Sequence, residues 1–179
     1  MTRALTVTGV ALALTVLCLT PGGATAPARP DATPRIGVFD SRAVALAYYR
    51  SDEGMQASRD RYDAYAKAKA SNDEARIKEL EQEGPWMQVR MHQQVFSTAT
   101  VATIMEKVAD KLPAIAKEAG VGAIVSKWEM PYKDGAIQTV DVTPALVRLF
   151  NPDERTLTII GQMTAPPIPF EKLPLDPKM

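Results

Sequence analysis

The sequence predicts an α+β fold: a small β-sheet body with a long antiparallel helical hairpin inserted between the first strand and the later strands. Three observations carry this expectation. A short extended run, Arg35-Ile36-Gly37-Val38-Phe39-Asp40, opens the folded region. A long stretch rich in Ala, Lys, Arg, Asp and Glu, good helix formers with few large apolar residues, follows it. A second strand-like block, Val121 to Val142, then closes the helical stretch.

Ahead of the first strand, residues 1–28 read as a secretory signal. Arg3 supplies the positive start, Ala4 to Thr20 the apolar run, and Gly22, Gly23, Ala24 and Ala26 the small residues near the cleavage site. The apolar run is close to the roughly 18 residues that span a bilayer, so an uncleaved inner-membrane anchor is the alternative to export. Cys18, the chain's only cysteine, follows Leu17 rather than a small residue, which argues against lipid attachment. The mature chain therefore has no thiol for a disulfide, a nucleophile or a metal site. Residues 29–34 continue a Pro- and Ala-rich stretch and read as a disordered leader.

The strand at 35–40 runs into a helix near Arg42, which Asp40 or Ser41 can cap. Ser51 to Gly54 marks an irregularity, and Met55 to Glu83 continues as the first hairpin arm, stopped by Gly84-Pro85 because proline cannot extend a hydrogen-bonded turn. The second arm is expected from Trp86 to Glu118. Val101, Ile104, Val108 and Ile115 fall at near-heptad spacing on it, and Pro113 kinks it near Ala109. The hairpin covers about residues 42–119, with arms of about 30 to 35 residues that would reach roughly 45 to 50 Å at 1.5 Å per residue. Gly120 ends the helix, and the sheet resumes within 121–142. Thr143-Pro144 opens a short helix at 143–150, with the threonine as its cap. Thr156 to Ile160, rich in β-branched residues, is expected as an edge strand. The tail, 161–179, holds Pro166, Pro167, Pro169, Pro174 and Pro177 and reads as extended or disordered.

Charge and motif usage narrow the function. Lys and Arg number 21 against 21 Asp and Glu, and removal of Arg3 leaves a net charge of about minus one. That balance argues against nucleic-acid binding, which wants a basic face. The one histidine, His92, sits among Arg90, Gln93 and Gln94 as a solvated helix-face residue. Asp73, Glu74, Glu79, Glu81 and Glu83 alternate with Arg76 and Lys78 as a charged face. With no paired histidine, no cysteine and no phosphate loop, the expectation is a protein that is not an enzyme and uses no cofactor or metal. Met55, Tyr62, Tyr65, Trp86, Met87, Met91, Phe96 and Met105 stand out on the hairpin, because methionine and aromatic side chains repack against varied partners. They form a candidate surface for unfolded polypeptide. Ile36, Val38, Phe39, Ile124, Val125, Trp128, Tyr132, Val140 and Val142 are assigned to the body core or a subunit interface.

The opening Ile36-Gly37-Val38-Phe39-Asp40, with Ala123-Ile124-Val125, Ser126-Lys127-Trp128 and Asp141-Val142-Thr143, resembles the Skp/OmpH family of periplasmic chaperones across roughly Arg35 to Phe150. The resemblance implies an OmpH/Skp-like domain over 35–160. It implies a homotrimer with three projecting hairpins, holding unfolded outer-membrane or envelope proteins in the periplasm without ATP, with transient contact at the membrane surface. Near-neutral charge, the proline-rich tail and Pro113 depart from the family pattern. The alternative reading is a structural or adaptor protein of the cell envelope, with the hairpin as a coiled-coil arm.

Overall fold

The computed structural model describes residues 35–173. The signal segment, the leader and residues 174–179 lie outside the described residues. No helix among the described residues is long and apolar enough to cross a membrane.

The α+β expectation is corrected. The described residues form seven α-helices around a three-stranded sheet that is parallel throughout. Strand β1 (Arg35–Phe39) lies in the centre, with β2 (Ala123–Ser126) on one side and β3 (Gln138–Asp141) on the other. Gly37 stands opposite Ile124 and Val140. Strands β2 and β3 do not form a hairpin with each other. The chain between them, residues 127–137, is longer than the two to five residues of an ordinary hairpin loop and contains Pro131. It carries the chain from the carboxyl end of β2 back to the amino end of the sheet, so β3 enters in the same direction as β1.

Alternation gives the sheet two unequal faces. Phe39 and the half-buried Ile124 and Val140 face the core, where Val44, Ala47, Leu146, Val147 and Phe150 are buried. Ile36, Val38 and Val125 occupy the opposite face and are only half-buried. Helices α1 (Ser41–Tyr49) and α6 (Thr143–Arg148) pack together on the core side. Tyr132, assigned from sequence to the core or an interface, is 78% exposed on the 127–137 connection.

Helices α2 (Asp52–Ala70) and α3 (Glu74–Phe96) form the hairpin, and its tip is not Gly84-Pro85. The reversal falls at Ser71-Asn72-Asp73. Asn72 takes a left-handed φ of 52°, the Asp73 N–H donates to the Ala68 carbonyl at 2.9 Å, and the Asp73 carboxylate accepts the Arg76 N–H at 3.0 Å. These contacts close one helix end and cap the next. Pro85 instead sits inside α3, which packs along α2 and so tolerates the missing donor. The arms of 19 and 23 residues reach about 28 and 35 Å, well short of the expected length.

The second arm also ends early. Ser97 closes α3, and the short α4 (Ala102–Glu106) precedes α5 (Leu112–Ala119). Buried Gln94 fixes this break: its Nε2 donates to the Thr100 carbonyl at 2.7 Å, and its Oε1 accepts from the Tyr49 hydroxyl at 2.6 Å. Val101, Ile104, Val108 and Ile115 therefore enter the body core rather than a hairpin seam. Pro113 lies in the first turn of α5, where no donor is needed, and introduces no kink into a longer helix. Gly120 ends α5 at φ 63°.

Thr156 to Ile160, expected as an edge strand, lies within α7 (Glu154–Gly161). The Asp153 carboxylate accepts the Thr156 N–H at 2.7 Å, and α7 packs on α1. Capping and packing outweigh the β-branched composition. Thr143 does not cap α6; its hydroxyl accepts the Asp40 N–H at 2.9 Å. The tail is likewise not free of the body, since the Ile168 N–H donates to the Phe96 carbonyl at 2.8 Å and Leu173 is buried.

Candidate functional site

Two arrangements bring chemistry-bearing or apolar side chains together. The first lies at the carboxyl end of the parallel sheet, where open α/β sheets commonly bind ligands. Asp40, one residue beyond β1, is buried. Its Oδ1 accepts from the Arg42 N–H at 3.0 Å, from Arg42 Nε at 3.1 Å and from Trp128 Nε1 at 3.1 Å. Its Oδ2 accepts from Arg42 Nη2 and Lys127 Nζ, each at 2.9 Å. Arg42 and Lys127 also lie 5.0 and 4.6 Å from the Trp128 ring centre.

Burial raises the Asp40 pKa, but hydrogen bonds from Arg42, Lys127 and Trp128 outweigh it and hold the carboxyl well below the usual carboxylate range. A permanently ionised, fully bonded carboxylate is neither a proton shuttle nor a free ligand. The described residues contain no buried side-chain nitrogen or oxygen without a partner, and no group of three metal-ligating side chains. The Asp40 carboxylate therefore acts as a joint that caps α1 and ties it to the residues after β2, while the Asp40 backbone N–H reaches Thr143 beyond β3. Sequence reading gave Asp40 a capping role alone, and assigned Trp128 to the body core or a subunit interface without its carboxylate partner.

The second arrangement is an apolar groove at the base of the hairpin. Tyr48, Tyr49, Met55, Tyr62, Met87 and Met91 line it with Pro85 and Arg61, enclosing about 550 Å³. Met55 is 41% exposed, Tyr62 67% and Met87 48%. Tyr48 and Tyr49 form its inner wall, with ring centres 5.3 Å apart, and Tyr48 packs edge-on to Phe150 of the body. The Tyr49 hydroxyl is anchored on Gln94, so this wall is rigid, whereas the methionines opposite it are flexible. A smaller hollow of about 200 Å³ continues along the hairpin past Tyr62 and Tyr65 to Leu80 and Pro85. The Tyr65 hydroxyl donates to Glu81 at 2.7 Å across the two helices.

Of the residues singled out on the hairpin, the groove gathers Met55, Tyr62, Met87 and Met91, and its extension adds Tyr65. Trp86 is 69% exposed and lines neither hollow. Met105 packs against the body core, and Phe96 faces the tail on another side of the body. His92 stacks edge-on to Phe96 with ring centres 5.6 Å apart. Tyr48, Tyr49 and Pro85 were missed as groove residues. The tyrosines were not singled out along the first helix, and Pro85 looked like the end of the arm.

Comparison with known protein families, curated proteins and solved structures returned no match for this chain.

Proposed function

We propose that this protein is an exported, ATP-independent holdase that keeps unfolded outer-membrane or envelope proteins from aggregating. The groove between the hairpin arms carries the reading. It is a methionine- and tyrosine-rich groove of about 550 Å³, with Met55, Tyr62 and Met87 well exposed and Ser58, Arg61 and Gln88 among them. Exposed apolar side chains gathered in one groove, rather than scattered singly, are the pattern that marks binding surfaces. Flexible methionines beside rigid tyrosines suit many weak contacts to varied sequences. No step of this action needs a cofactor.

The proposed assembly is a homotrimer. Its support is the sheet: parallel sheets are ordinarily covered on both faces, and here Ile36, Val38 and Val125 occupy a face opposite the core. Both outer strands also leave an edge unpaired among the described residues. The near-neutral charge makes apolar contact rather than electrostatic capture the main attraction.

The test is light scattering of the purified mature protein, alone and with a urea-unfolded outer-membrane β-barrel protein. A trimer that keeps the client soluble is the expected result. Replacing the exposed Met55 and Met87 together by serine reduces that protection without unfolding the body. A protein that leaves the client to precipitate, while binding a folded envelope protein tightly, would establish the adaptor reading instead.

A further inference from the structure

The segment after α7 crosses the body as an extended ligand would. Arg42 Nη1 donates to the Ala165 carbonyl at 3.0 Å, and the Phe96 carbonyl accepts the Ile168 N–H at 2.8 Å. Both body groups are spare parts of the fold. The other guanidinium nitrogens of Arg42 are engaged by Asp40, and the last carbonyls of a helix such as α3 lack intrahelical donors. Ala165, Pro166 and Ile168 of the segment close one side of a groove of about 330 Å³ whose other walls include Leu46, Val95, Phe96 and Ile159.

Both polar contacts reach the segment's main chain rather than its side chains. They recognise extended backbone with a particular spacing of acceptor and donor. Pro166, Pro167 and Pro169 have no N–H, so Ile168 supplies the only main-chain donor from 166 to 169. Prolines also pre-order the extended conformation and lower the entropy lost on docking. The seat is shallow, since Ile168 remains 40% exposed and Phe96 48%.

We propose that this groove is a second polypeptide-binding site, that segment 165–169 is its resident ligand held in cis, and that extended, proline-containing apolar stretches of an unfolded client displace it. The client half of the proposal rests on the holdase reading; the cis-ligand half stands without it. The tail then acts as a stopper that covers the groove until a client competes for it.

The probe is a fluorescein-labelled peptide of residues 162–173, followed by anisotropy with full-length wild type and full-length Ile168→Asp. A tethered ligand competes at high effective concentration, so the variant, whose own tail has left the groove, binds the peptide roughly tenfold or more tightly than wild type does. A peptide carrying Ile168→Asp does not bind. Equal binding by the two chains, or no binding by a variant with wild-type circular dichroism, overturns the cis-ligand assignment. The client half is read on the unaltered chain from hydrogen exchange at the Ile168 amide, with reduced and carboxymethylated α-lactalbumin as a permanently unfolded probe. Faster exchange on binding supports displacement, and unchanged exchange in a complex that has formed refutes it. If no complex forms, the client half falls with the holdase reading, while the peptide titration still decides the cis ligand.

Discussion

Asp40→Ala removes the carboxylate that joins Arg42 of α1 to Lys127 and Trp128 beyond β2. The side chains of Asp40 and Arg42 are 9% and 6% exposed, so the substitution leaves a buried guanidinium without its carboxylate. Breaking such a pair from one side costs about 3 to 5 kcal/mol. Loss of the α1 cap, through the bond to the Arg42 N–H, adds about 1 kcal/mol. Lys127 is 41% exposed, and its contact with Asp40 contributes at most about 1 kcal/mol after solvent screening. The expected loss is therefore about 4 kcal/mol or more, a large part of an ordinary domain's stability. Urea unfolding followed by far-ultraviolet circular dichroism measures it. Arg42→Ala with Asp40→Ala removes both charges, so the double variant is expected to be less destabilised than the two single losses added together. A loss below about 1 kcal/mol for Asp40→Ala, with an unchanged denaturant slope, would refute the view that this carboxylate joins α1 to the end of β2.

Acid titration tests the same joint. The folded-state pKa of Asp40 lies below the unfolded value, so its stabilisation is complete at neutral pH and is lost as pH falls below about 4 toward the folded value. Thermal melts of the Asp40→Ala and Arg42→Ala double variant should show a flatter acid limb than wild type, and identical limbs would contradict the assignment. Gly54→Ala should destabilise the elbow between α1 and α2 strongly, because a Cβ there runs into the Tyr48 carbonyl oxygen; denaturation midpoints would show it. Pro85→Ala restores a helix donor inside α3 and should raise stability by up to about 3 kcal/mol, while reshaping the groove and weakening client protection in an aggregation assay. Stability that does not rise would mean that Pro85 is fitted into its place by packing.

Much of the local structure was legible along the chain. The run Arg35 to Phe39 announced a strand, Asp40 a cap, Gly120 a helix end and Thr143-Pro144 a helix start, because each depends on neighbours a few residues away. The hairpin tip was also written locally, in Ser71-Asn72-Asp73, but the stronger breaker Gly84-Pro85 masked it. Among the groove residues, Met55, Tyr62, Met87 and Met91 stood out by type, since large flexible side chains on a polar helix need a reason.

Where helices and strands can begin, and which side chains can repack against varied partners, are properties of single residues and short windows and were readable along the chain. Only the tertiary structure decided that the sheet is parallel, that 154–161 is a helix, and that Val101, Ile104 and Val108 serve the body rather than the hairpin. It alone placed Trp128 on Asp40 and the tail on Phe96. Those outcomes depend on partners up to about a hundred residues apart, and the burial and hydrogen bonds gained there outweigh propensities of a few tenths of a kcal/mol per residue.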